Sequence, residues 1–161
     1  MAAFDMLSDT SFAEEAAKAV DAFVGEHEYP VARAQVHGLR QIAMNQPTQI
    51  TVFADHQKDR AEKRNASAQV EFWKLVHLLC IGRPPRASWS LEQAAENVMP
   101  AELKLETAAH GTKLSKEEQQ ERAATKKRQK QWLESWRSEH YPEFFQRFCA
   151  HYLYRLGMKG D

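Results

Sequence analysis

The sequence predicts an all-α fold, a compact multi-helix bundle of about six to eight helices with one long charged helix. Three observations carry this. Apolar residues recur at three-and-four spacing through most of the chain, the period of a helix with one buried face. Ser-x-x-Glu or Ser-x-x-Gln pairs stand at Ser11/Glu14, Ser90/Gln93 and Ser115/Glu118, where side chain and backbone can satisfy each other's free donors at a helix start. No stretch alternates apolar and polar residues long enough for a strand, and no hairpin signal occurs. At 161 residues, 43% of them hydrophobic, residues 1–161 fit one domain whose core is large enough to dispense with metal or disulfide staples.

The elements follow in order. Ser11 and Glu14 announce a first helix whose stripe is Phe12, Ala16, Val20, Phe23 and Val24, and Gly25 marks its end. Pro30 suits the start of a second helix, which runs from Val31 to Met44 with Val36, Leu39 and Ala43 on its face and Gly38 interrupting it. Asn45-Gln46-Pro47 forms the turn, and Ile50, Phe53, Ala54 and Ala61 continue the pattern in a third helix that ends in charge. The two helices read as a buried hairpin packed on the next element, Val70 to Ile81, the most apolar run and the expected central helix. Gly82-Arg83-Pro84-Pro85 stops it. A short helix opens at Ser90 and closes before Pro100, and Ala101 to Gly111 reads as a short helix or loop. Ser115 opens a long helix to about Arg137 whose first four turns are almost wholly polar. A last helix starts at Pro142, carries Phe144, Phe145, Phe148, Cys149, Tyr152 and Leu156, and stops at Gly157.

Charge is balanced overall, 22 bases against 22 acids, which argues against coating nucleic acid or acidic membrane by bulk charge. It is unevenly distributed. Residues 1–30 hold Asp5, Asp9, Glu14, Glu15, Asp21, Glu26 and Glu28 against Lys18 alone, while residues 112–137 hold eight bases against four acids. Cys80 and Cys149 sit among apolar neighbours at helical spacing and read as small buried hydrophobes. No signal-peptide pattern and no run of about 18 apolar residues is present, so a cytoplasmic protein without membrane contact is expected.

The chemistry-bearing residues form no recognisable catalytic set. The seven histidines show no HxxxH, HExxH or CxxC spacing, so no metal and no cofactor is implied. Asp55-His56 and Ser138-Glu139-His140 are adjacent in sequence, and adjacent residues on a helix diverge by about 100°, which precludes a relay. Phosphate-binding loops and nucleophile elbows are missing, and no catalytic residue or enzyme activity is expected.

Basic clusters are the better signal. Arg33, Arg40, Lys58, Arg60, Lys63 and Arg64 lie on the hairpin, and Lys126, Lys127, Arg128 and Lys130 on the long helix. Clustered long cations contact phosphate whatever the base sequence, so a neutral protein can hold RNA or single-stranded nucleic acid along one stripe. The turn at Met44–Thr48 also permits a helix-turn-helix, but the second helix begins with Gln49, Thr51 and Asp55 rather than bases. The Trp132, Trp136, Phe144, Phe145, Phe148, Tyr152 and Tyr154 set is expected in the core or a subunit interface rather than stacked on bases.

Two stretches, Ala34-Gln35-Val36-His37-Gly38-Leu39-Arg40 and the closing PEFFQRFCAHYLYRLGMKGD, resemble the small all-helical subunit of type III CRISPR effector complexes: the first is similar to a short Gln-hydrophobic-x-x-Leu helix, the second to an aromatic final helix with a Gly- and Lys-containing end. The long helix from Ser115 and the Pro-rich connections lie outside the resemblance. It implies a non-catalytic subunit that stacks with copies of itself along a guide-target duplex and contacts backbone phosphate through basic residues. The expectation is therefore a helical subunit of an RNA-guided or other nucleoprotein assembly. The alternative is a helical protein-protein interaction adaptor with no nucleic-acid contact, its acidic first helix and aromatic last helix binding another protein.

Overall fold

A computed structural model describes residues 2–104 and 113–158, with side chains from Ser11 onward. Six α-helices and no strand occur among the described residues: α1 Ala2–His27, α2 Arg33–Asn45, α3 Ile50–Lys63, α4 Ser67–Ile81, α5 Leu91–Val98 and α6 Lys116–Met158. Single 3₁₀ turns, Pro47–Gln49 and Ala101–Leu103, precede α3 and follow α5. The all-α bundle with one long helix is thus present. Of Ala101 to Gly111, only the first four residues are described; residues 105–112 lie outside the described set.

The bundle is built on the C-terminal half of α6. Phe144, Phe145, Phe148, Cys149 and Tyr152 are wholly buried there. The helix α1 lies along one side of this half and α2 along another, while α5 touches it nearer the middle of α6. α3 and α4 form their own antiparallel pair, and Phe72 of α4 joins them to α6 by ring contacts with Phe148 and Tyr152. The expected central helix is therefore a flank. Val70, Phe72, Trp73, Val76, Leu79 and Cys80 of α4 are buried, but Glu71, Lys74 and Ile81 face solvent, and Leu75 and Leu78 line an open groove of about 330 Å³ beside α1. The expected hairpin also divides: α3 packs on α4 while α2 packs on α6.

Local chemistry explains where the elements start and stop. α1 runs through Ser11, so that Ser-x-x-Glu pair does not cap it, and it continues past Gly25 until Glu28 takes a left-handed φ of 60°. Asn65, at φ 58°, ends the hydrogen bonding after α3 in the same way; asparagine enters that region more readily than most residues. Pro30 does not open α2. Val31 is buried first, its amide accepted by the Tyr152 hydroxyl at 3.3 Å and its carbonyl accepting from that hydroxyl at 3.1 Å, and α2 begins at Arg33 with Gln35 reaching back to the Ala32 amide at 3.0 Å. Ser90 and Ser115 do cap, accepting from the Gln93 and Glu118 amides at 3.3 and 3.1 Å. Gly82 is required: a Cβ there would stand 2.5 Å from the Leu78 carbonyl oxygen.

The expected break between Arg137 and Pro142 is absent, and α6 is one helix of 43 residues. Proline removes the amide that would bond the Ser138 carbonyl, at a cost of about 3 kcal/mol. Trp136, Tyr141, Phe144 and Phe145 flank it and are all buried in the same core, and each such side chain contributes about 1.5–3 kcal/mol, so burial of a continuous face outweighs the lost bond.

Two stability outcomes follow from this packing. Tyr152→Phe strands the buried Val31 amide and carbonyl and should destabilise the protein by about 1–3 kcal/mol in urea unfolding. At Gly38 a methyl group would meet only the Phe53 ring, at an ordinary 3.9 Å, so Gly38→Ala should raise stability by about 0.5–1 kcal/mol; a loss would show that α2 approaches its neighbours more closely than this.

Candidate nucleic-acid interface

The N-terminal part of α6 is held by helix propensity rather than by burial. Between Lys116 and Ser135 no residue is buried, and the first fully covered side chain is Trp136. The inner face is fastened at a few points: Gln129 donates to the Leu103 carbonyl at 3.3 Å, and Arg137 donates to Glu92 of α5 through Nε at 3.0 Å and through Nη2. Glu92 is itself buried, so this pair is screened by solvent far less than those on the open surface. The hydrogen bond and charge of Glu92 raise the Arg137 guanidinium above its usual range, and burial pushes the Tyr141 hydroxyl and the Cys80 thiol up beside it.

Lys126, Lys127, Arg128 and Lys130 are all exposed on this stretch. They do not share one face. At 100° per residue Lys126 and Lys130 stand one above the other with Lys127 beside them, whereas Arg128 points to the acidic side, near Glu117 and Glu121. The row has a third member that the sequence reading passed over: half-exposed Arg122 precedes Lys126 by one turn, and the i, i+4, i+8 spacing was the available signal. Like charges at i, i+4 cost about 0.2–0.5 kcal/mol per pair, and Glu118 and Glu134, one turn beyond either end of the row, offset part of that cost.

The hairpin cations are distributed differently. Arg33 opens α2 and lies within 3.9 Å of the Cβ position at Gly157, near the end of α6. Arg40 is exposed further along α2, and its charge is felt at the Cys149 thiol, which burial pushes up to about 12. On α3, half-buried Lys58 lies on one flank of the buried Ile50–Ala54–Ala61 face, while exposed Arg60 and Arg64 lie on the other, with Lys63 further round. Arg64 donates to Gln69 at 3.2 Å, and Gln69 donates to the Pro30 carbonyl at 3.0 Å, which puts the end of α3 beside the α1–α2 connection. The sequence-predicted cations thus form two separated groups with Arg40 between, and Lys58 belongs to neither.

Charge pairing holds some of the cations and leaves others, among the described residues Lys18, Arg86, Lys104, Lys113 and Lys116 as well as the clustered ones, without a salt bridge. Lys74 pairs with Glu71, Arg83 with Glu96, Arg137 with Glu92 and Arg155 with Asp21. Among the described residues, Arg40, Lys58, Arg60, Lys63, Lys126, Lys127, Arg128 and Lys130 have no ion-pair partner, and Arg33 is engaged locally. The helix-turn-helix reading loses its geometry, because the Pro47–Gln49 turn packs on α6 and α3 buries Ile50 and Ala54. The aromatic set is core as expected, except that Tyr154 is 63% exposed and Trp132 half-buried.

Sequence spacing gave no sign of two histidine–carboxylate contacts made across helices: His151 to Asp21 at 2.8 Å and His77 to Asp55 at 2.9 Å. Both lie on the surface and join helices. No group of three or more His, Cys, Asp and Glu side chains among the described residues is placed to hold a metal ion, and no described helix is long and apolar enough to cross a membrane. No family model, curated protein or solved structure matches the chain.

The Asp21 contact has a pH signature. The hydrogen bond from His151, its charge, and Arg155 at 2.6 Å hold the Asp21 carboxyl below its ordinary value, against a little desolvation. A depressed carboxyl pKa stabilises the fold above the unfolded value of about 3.9, and that contribution disappears as pH falls through the lower folded value. Asp21→Asn should therefore lower the Tm at about pH 5, and the deficit should shrink steadily as the solution is acidified; a deficit that does not change with pH would mean that Asp21 acts by packing alone.

Proposed function

We propose that this protein is a non-catalytic, cytoplasmic subunit of an RNA-guided or other nucleoprotein assembly, holding nucleic-acid backbone on basic helix faces. The observation that carries the reading is the Arg122–Lys126–Lys130 row, exposed or half-exposed and forming no salt bridge among the described residues, on a stretch of α6 that contributes no buried residue. Three long cationic side chains spaced one turn apart on an uncovered helix present a line of positive charge to which a polyanion can be matched. Arg60, Lys63 and Arg64 extend the same chemistry to the far end of the bundle. The resemblance of the α2 and C-terminal segments to the small helical subunit of type III CRISPR effectors supports placing it in such an assembly, beside other subunits or copies of itself. The adaptor alternative keeps the acidic α1 but loses most of its proposed aromatic surface to the core.

The reading is tested with labelled single-stranded RNA and DNA at about 50 and 200 mM salt. With about four phosphate contacts, affinity should drop about fiftyfold across that range. Charge reversal of Lys126, Lys127 and Arg128 should weaken all sequences alike and flatten the salt dependence; an unchanged isotherm would remove α6 from the interface.

A further inference from the structure

The clustered cations of α6 and of the end of α3 form two stations, and the fold separates them along the bundle. The Tyr152 hydroxyl is bonded to Val31, and Pro30 next to it receives the Gln69 amide that also holds Arg64, so the end of α3 lies at the level of Tyr152 on α6. Lys130 precedes Tyr152 by about 22 residues on the same helix, which is roughly 33 Å at 1.5 Å per residue, and Lys126 and Arg122 lie further still. Between the stations Arg40 stands at about the level of Cys149, whose thiol feels its charge. No single phosphate group or short oligonucleotide reaches both ends.

Building on the nucleic-acid reading above, we infer that the ligand is a flexible single strand long enough to touch both stations at once, Arg122–Lys126–Lys130 on α6 and Arg60–Lys63–Arg64 at the end of α3. A stacked strand advances about 3.4 Å per nucleotide, so bridging requires about ten nucleotides. A flexible strand suits the arrangement because the two stations sit on separate helices, and a strand can turn between them where a rigid duplex contacts only cations along one line. Joining two weak contacts through one strand makes the second intramolecular, so affinity rises with length in a step rather than in proportion to the number of registers.

The experiment is a length series of single-stranded oligonucleotides of about 4, 8, 12 and 20 nucleotides at low salt, read by fluorescence anisotropy with three proteins. These are the wild type, an α6 variant (Lys126→Glu with Lys130→Glu) and an α3 variant (Arg60→Glu with Lys63→Glu). Wild type should gain at least about tenfold in affinity between 4 and 12 nucleotides. Each variant should bind more weakly at every length and lose the step between about 4 and 12 nucleotides. Lys126→Gln with Lys130→Gln should behave like the reversal and guards against misfolding, which circular dichroism would reveal. A step that survives in either variant, or a smooth rise in wild type, overturns the bridging inference while leaving nucleic-acid binding in place. Absence of binding at every length overturns the proposed function itself.

Discussion

Everything in this fold depends on one aromatic surface. Phe144, Phe145, Phe148 and Tyr152 recur at three-and-four spacing and are covered from different directions by α1, α2 and the α3–α4 pair, with α5 at the margin. α1 and α2 pack chiefly on α6, so the helix works as a spine for them, while α3 and α4 pack chiefly on each other and reach it through Phe72. Tyr152 contributes twice: its ring fills the core, and its hydroxyl satisfies both backbone groups of Val31, which would otherwise be buried without partners. This is why Val31 of the α1–α2 connection can be buried without a helix to close its hydrogen bonds.

The same helix divides its labour along its length. Past Trp136 it is apolar on one face and buried; before it, the chain is built from strong helix formers that need no core. Burial fixes the first half of the fold's chemistry, and electrostatics the second. Where acids and bases meet across helices, as in Arg137 with Glu92, they fasten elements together, and where the described residues make no such bridge, as along Arg122, Lys126 and Lys130, the charge faces solvent. Zero net charge hides this partition completely.

What the sequence disclosed was what depends on near neighbours. The Ser90 and Ser115 caps, the Gly82 stop and the buried stripe of the last helix are all local, and all are present. Readings that needed tertiary information diverged. Pro142 and Gly25 carry strong local signals to end a helix, yet packing carries the helix through both. The apolar run of α4 suggested a centre, but apolar content does not say how many neighbours come to cover it. Of the candidate interface, the positions were legible and the grouping was not. Lys58 and Arg60 are two apart in sequence and on opposite flanks of α3, while Arg122 belongs with Lys126 although they read as separate. Contacts such as Asp21 with His151, far apart in the chain, have no local signature at all.

The missing amide at Pro142 acquires a mechanical meaning from its position. It falls close to the boundary where α6 changes from a bare rod to an embedded one, and it opens the hydrogen-bond ladder at the Ser138 carbonyl. A load on the charged arm acts as a torque about a fulcrum near Trp136, and the compliant turn is the one just inside it. Gln129 on Leu103 and Arg137 on Glu92 brace the arm on its own side of that point, so a load meets those two contacts before it reaches the weakened turn.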